Sequence, residues 1–140
     1  MSARFFLDTN ILVYAHDASE PLKQSKSQEL IYEAVRSGDG VISPQVLSEF
    51  FVTVTRKIEK PISEEQARRE IVLLGSLCTV DLDATLVLRA LDLRSRWGVS
   101  YWDAMILAAA ERAACPTLYS EDLSDGQSYG EVRVANPFSG

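Results

Sequence analysis

Two periods of hydrophobicity divide this chain. Short apolar runs at 4–7 (RFFL), 40–43 (GVIS) and 117–120 (TLYS) are too brief for helices and read as buried strands, and a last strand is expected at 131–135. Between them the apolar spacing lengthens to the helical i, i+3, i+4 pattern. Ile11–Ala15 continues the first run as a helical turn. A helix over 22–37 starts at Glu20-Pro21, carries Ile31, Ala34 and Val35 on one stripe, and stops at Gly38. Residues 45–57 follow Pro44, with Val46, Phe50 and Val54 in line. Ser63 and Gln66 form a capping-box pattern ahead of Ala67, Ile71 and Leu74. Asp83 opens a helix over 84–97, with Leu86, Ala90, Leu93 and Trp97 aligned and Gly98 as its stop. Ser100 opens another over 101–113, which is apolar nearly all round and is therefore expected at the centre of the fold. Thr79–Leu82 reads as a strand or an extended link, and 121–130 as a polar loop.

Apolar strands alternating with helices predict an α/β sandwich around a mostly parallel sheet, and 140 residues predict one domain spanning 1–140. With 46% hydrophobic residues the chain can build a real core. Its longest apolar stretch, 104–110, is far below the ~18 residues of a membrane span, and no signal peptide is visible. Two Cys make no disulfide framework, so a cytoplasmic location is expected, with Cys78 and Cys115 as buried, inert thiols. The single His16 excludes two-histidine acid–base catalysis. The distance between the two Cys, neither in a CxxC pair, excludes structural zinc. Carboxylates are left to carry any chemistry.

In open parallel sheets ligands bind beyond the carboxyl ends of the strands. Asp8 directly follows the first strand. Glu49 lies about one turn into the helix after the second. Asp103 sits in the first turn of the apolar helix, and Asp122 comes two residues after the 117–120 strand. Each has an ordinary alternative: Asp8 and Asp103 suit helix starts, Glu49 suits a positive helix N-terminus, and Asp122 stands in a turn rich in acids, where Glu121 and Asp125 compete with it. Jointly they bring four carboxylates to one edge of the sheet. Such a group repels itself unless a divalent cation sits within it, and all-oxygen donors select Mg²⁺ or Mn²⁺ over Zn²⁺. That is the general plan of metal-dependent nucleases.

In this order and spacing, FLDTNILVYA at 6–15, SPQVLSEF at 43–50, SYWDAMILAAA at 100–110, LYSEDLSDG at 118–126 and NPF at 136–138 resemble a PIN-domain ribonuclease, and within that group a VapC-type toxin. The resemblance implies a three-layer α/β/α Rossmann-like fold, a Mg²⁺- or Mn²⁺-dependent endoribonuclease acting on RNA, a homodimer, and a cognate antitoxin protein as partner. It also implies site roles. Asp8, Asp103 and Asp122 would hold the metal and Glu49 would complete the catalytic cluster. Thr9 and Asn10 would brace the first acid, and Ser120 would supply a small hydroxyl before the last. The further acid common in the family has no exact match, since Ser124 and Asp125 stand two and three residues after Asp122.

Other functions compete. An aspartyl phosphatase with Asp8 as nucleophile needs a second acid two residues on, where this chain has Asn10. A receiver-like signalling domain needs a Lys near its last strand, and no Lys follows Lys60. A catalytically silent, partner-binding PIN domain keeps the fold without the reaction. The net charge of −6 weighs against nucleic acid until the four acids are assigned to a metal, after which the remaining surface is close to neutral. Arg56, Lys57, Lys60, Arg68 and Arg69 form the best basic cluster for phosphates, with Arg89, Arg94 and Arg96 a second. Trp97, Tyr101 and Trp102 fit either base stacking or core and dimer contacts.

Overall fold

In the computed structural model, which describes residues 3–139, the apolar runs form strands and the longer-period segments form helices. The strands are β1 (Phe5–Leu7), β2 (Gly40–Ile42), β3 (Cys78–Thr79), β4 (Thr117–Tyr119), β5 (Ser128–Tyr129) and β6 (Val132–Ala135). The helices are α1 (Thr9–Tyr14), α2 (Pro21–Ser37), α3 (Pro44–Arg56), α4 (Glu64–Leu74), α5 (Ala84–Trp97) and α6 (Tyr101–Arg112).

Local chemistry sets most boundaries. Ser43, Ser63, Asp83 and Ser100 each accept a hydrogen bond from the third residue of the helix they open, satisfying a backbone donor that the helix leaves free. Ser63 and Gln66 complete a reciprocal capping box. Pro21 and Pro44 stand at the first helical position, where no amide hydrogen is needed. Gly38 ends α2 at φ 76°, a left-handed conformation that a side chain would strain.

The six strands form one sheet in the order β3-β2-β1-β4-β6-β5. Every neighbouring pair is parallel except β5–β6. Helical crossovers join β1 to β2, β2 to β3 and β3 to β4, which gives the α/β Rossmann-like architecture. From β1 the chain moves outward to β2 and β3, then returns through α6 to β4 on the other side of β1. The topology therefore reverses between β1 and β4, where parallel sheets open a crevice at their carboxyl ends. Phe6, Leu7, Val41, Ile42 and Leu118 are buried within the sheet. Val46, Phe50 and Val54 of α3 pack as one buried stripe, as their spacing predicts. Ala104–Ala110 of α6 is buried throughout, and its wholly apolar side chains suit a helix enclosed on all sides.

Several expectations change. Val35 is 56% exposed; the buried positions of α2 are Ser27 and Ala34, because the neighbours of a long surface helix decide which part of its apolar stripe is covered. Cys78 is exposed on the outermost strand, and only Cys115 is buried. The strand or extended link expected at 79–82 is a two-residue strand, shifted one residue earlier to Cys78–Thr79. The loop expected over 121–130 contains β5, which pairs antiparallel with β6 and buries Tyr129 against Trp97. Two residues with one buried side chain leave no periodicity to read. Among the described residues no helix is long and apolar enough to cross a membrane.

Candidate active site

Asp8 is where the chain leaves β1 and enters α1. Its backbone N–H donates to Tyr119 O of β4 at 3.0 Å, which locks it beside the topological reversal. Its side chain caps α1: Oδ1 accepts from Thr9 N at 2.7 Å, and Oδ2 accepts from Ser120 Oγ at 2.6 Å. Ser120 is fully buried at the end of β4, and the same Oγ accepts from Asp122 N at 3.1 Å. One hydroxyl thus fixes the first acid and the turn that carries the last.

Thr9 and Asn10 extend this bracing outward. Thr9 Oγ1 donates to Glu49 Oε1 at 2.9 Å, and Asn10 Nδ2 donates to Asp122 Oδ2 at 3.2 Å. The resemblance assigned both residues to the first acid: Thr9 meets Asp8 through its backbone N–H, while the side chains of Thr9 and Asn10 reach Glu49 and Asp122. Asp103 reaches the same edge because α6 runs back against the sheet into β4, which leaves its first turn at the strands' carboxyl ends. Gln45, which sequence reasoning missed, joins the two helix starts. Its Nε2 donates to Trp102 O of α6 at 3.1 Å and more weakly to Glu49 Oε1 at 3.4 Å. The available signal was its place four residues before Glu49, on the same helical face.

The electrostatics set Asp8 and Asp103 apart from the other acids. Burial pushes the Asp8 carboxyl up to about 7, against its two hydrogen bonds, and the charges of Asp122 and Glu49 push the same way. Burial also raises Asp103, against the Ser100 hydrogen bond, with a smaller upward push from the charge of Asp122. Several acids elsewhere are paired with cations: Glu33 with Arg36, Asp83 with Arg112, Glu111 with Arg89 and Glu121 with Lys23. Among the described residues, none of Asp8, Glu49, Asp103 and Asp122 is in an ion pair.

Four uncompensated carboxylates with hard oxygen donors suit Mg²⁺ or Mn²⁺ chemically. They reach one edge without closing on one point: no three described Asp, Glu, His or Cys side chains are gathered tightly enough to hold an ion as they stand. Glu49 and Asp122 instead accept from the neutral side chains of Thr9 and Asn10. Both are exposed, so rotating them inward breaks exposed hydrogen bonds worth only about 0.5–1.5 kcal/mol each.

The other candidates are placed differently. Asp125 is engaged away from the cluster, its oxygens accepting from Asn136 N and Ser139 Oγ at 2.9 Å each. His16 lies against Phe50 with Nε2 3.6 Å from Glu70. Trp102 is 59% exposed beside Asp103, and Trp97 packs on Tyr129. Of the basic residues, Arg69 pairs with Glu65 and Arg89 with Glu111, whereas Lys57 lines a shallow depression shared with Glu49.

A family model, the PIN domain, matches residues 5–124 of this chain. The chain belongs to the PIN-domain family. No curated protein matches it in sequence. Among solved structures, this PIN domain is similar to a toxin–antitoxin complex from Klebsiella pneumoniae, with 20% identity, a TM-score of 0.68 and 98% of each chain covered. It is also similar to a DNA-bound VapBC from Salmonella typhimurium (18% identity, TM-score 0.67, 97% of this chain and 99% of that one). A third similar structure is the Mycobacterium tuberculosis toxin VapC20, described as cleaving the sarcin–ricin loop (19% identity, TM-score 0.67, 84% and 89%). At these identities the likeness is one of fold, and it covers nearly the whole PIN domain.

Proposed function

We propose that the protein is a Mg²⁺- or Mn²⁺-dependent endoribonuclease and the toxin of a VapBC-type pair, acting as a cytoplasmic homodimer held in check by a separate antitoxin. The observation that carries this reading is the set of four carboxylates without cations at the topological reversal of a PIN fold. The similarity in fold to VapC and VapBC proteins supports the toxin assignment.

Asp8, Asp103 and Asp122 would hold the metal, with Glu49 completing the cluster. A divalent cation there would offset phosphate charge and lower the pKa of an attacking water. The chain's own groups supply the rest. Ser120 and Thr9 N keep Asp8 in a single orientation. Glu49 is exposed at the site mouth, where it can accept a proton from a water aligned with the scissile phosphate. Lys57, beside Glu49, is placed to meet a neighbouring phosphate. Water as nucleophile leaves a 5′-phosphate and a 3′-hydroxyl. Asn10 has no proton to relay as a general acid and donates to Asp122, so nothing favours an aspartyl phosphatase.

The test is cleavage of total RNA by the purified protein, with end mapping. Cleavage should need Mg²⁺ or Mn²⁺, stop in EDTA and fall at least about 100-fold in Asp103→Asn, in the range set by losing one group that acts only in the transition state. Cleavage that persists in EDTA, or 2′,3′-cyclic phosphate ends, would overturn it.

A further inference from the structure

Glu121 adjoins Asp122, yet it is drawn away from the acid cluster. Its Oε1 accepts from Tyr14 Oη at 2.6 Å and its Oε2 from Lys23 Nζ at 2.7 Å. Lys23 Nζ also donates to Tyr14 Oη at 3.3 Å. The same ammonium lies 4.7 Å from the centre of the Tyr14 ring and 5.6 Å from that of Phe138, and the two rings meet edge to face at 5.2 Å. Lys23 is therefore held by a carboxylate, a hydroxyl and two aromatic rings, an arrangement that favours the charged ammonium.

Phe138 arrives on the C-terminal segment, which Asp125 fastens. The Asp125 oxygens accept from Asn136 N and Ser139 Oγ, and Asn136 Oδ1 accepts from Phe138 N at 2.9 Å. This strap lies beyond the segment that matches the PIN family model, which ends at residue 124. From the cage, contacts lead straight to the site. Glu121 N donates to Asn10 Oδ1 at 3.3 Å, and Asn10 Nδ2 donates to Asp122 Oδ2.

We propose that the Lys23 cage, closed by the C-terminal strap, is a positioning device for Asp122: it compensates Glu121 and anchors the 120–122 turn, so that the turn offers the site one carboxylate instead of two. Without Lys23, Glu121 would be a part-buried charge lacking a cation, one residue from four carboxylates that already repel one another. Its least costly response is to swing towards solvent or the cluster, and either movement pulls the turn with it. Tyr14, Lys23, Glu121 and Phe138 are positioning residues on this account, and the proposal rests on the nuclease reading above.

The test compares Lys23→Met, which keeps the apolar stem, Lys23→Arg, which keeps the charge, and Phe138→Ala. Amide hydrogen exchange at 120–123, Mn²⁺ affinity by calorimetry, and kcat and KM on RNA are read together. Lys23→Met should speed exchange at 120–123, weaken Mn²⁺ about tenfold, the lower end for losing a partner that orients a metal ligand, and lower kcat with KM nearly unchanged. Lys23→Arg should restore most of each, and Phe138→Ala should shift them in the same direction by less. Wild-type exchange at 120–123, or Mn²⁺ affinity within twofold of wild type, in a folded Lys23→Met protein overturns the proposal. If Lys23→Met does not fold, Phe138→Ala is judged by the same two criteria. If the wild type neither binds Mn²⁺ nor cleaves RNA, the nuclease reading fails, and hydrogen exchange alone still decides whether the cage anchors the turn.

Discussion

Asp8→Asn separates the stability of this site from its chemistry. The Asp8 carboxyl titrates at about 7 in the folded chain against an ordinary 3.8, with burial the largest cause. Between those values the folded state holds a proton that the unfolded state has released, so the stability contributed by this group is fully present below pH 3.8, declines as pH rises, and is gone above about 7. The gap of about three units corresponds to roughly 4 kcal/mol at 1.36 kcal/mol per unit. Replacing the carboxylate by the amide removes that penalty. It also costs about 1–2 kcal/mol, because the amide nitrogen cannot accept from both Ser120 Oγ and Thr9 N as the carboxylate does. In EDTA at pH 8 the variant should be more stable than the wild type by about 2 kcal/mol, and near pH 5 the two should be close to equal. Urea denaturation followed by circular dichroism at both pH values measures the difference. Saturating Mg²⁺ should stabilise the wild type and leave the variant unmoved, since only binding to the folded state shifts the midpoint. A variant less stable than wild type at pH 8 in EDTA would refute the assignment of Asp8 as an uncompensated buried charge. Sites that must bind a cation are built at such a cost to the metal-free fold.

Two further perturbations test the surroundings. Ser120→Ala removes the hydroxyl shared by Asp8 and Asp122 N, and should cost about 1–3 kcal/mol in the same denaturation assay; a loss under about 0.5 kcal/mol would show that the hydroxyl does not support the acid. Gly40→Ala would place a Cβ hard against Ala34, with the Ala34 Cα only 2.9 Å away, and should cost about 1–3 kcal/mol. Adding Ala34→Gly should recover part of that loss in a double-mutant cycle, and strict additivity would refute direct contact.

The alternation of short apolar runs with helical stripes was legible because each element is decided locally. Ser43, Ser63, Asp83 and Ser100 cap the helices their sequence positions predict, and Val46, Phe50 and Val54 face the core as their spacing requires. Asp8, Glu49, Asp103 and Asp122 were legible for a related reason: each follows a strand or opens a helix, and parallel strands bring those positions to one edge. What failed depended on packing that has no period. Ser128–Tyr129 is a strand because β6 lies beside it, and Val35 is exposed because nothing covers that part of α2.

The sequence by itself therefore determined the α/β architecture and the strand-end positions of the four acids, since element type and strand-end position are properties of neighbouring residues. Only the tertiary structure decided which acids have partners. Glu121 and Asp122 are adjacent and chemically alike, yet one meets Lys23 and Tyr14, about a hundred residues away, while the other accepts only from the neutral amide of Asn10. Asp125, similar again, is taken up by the C-terminal strap. Charge compensation depends on distances of a few ångströms between segments remote in sequence, and folding alone brings such segments together.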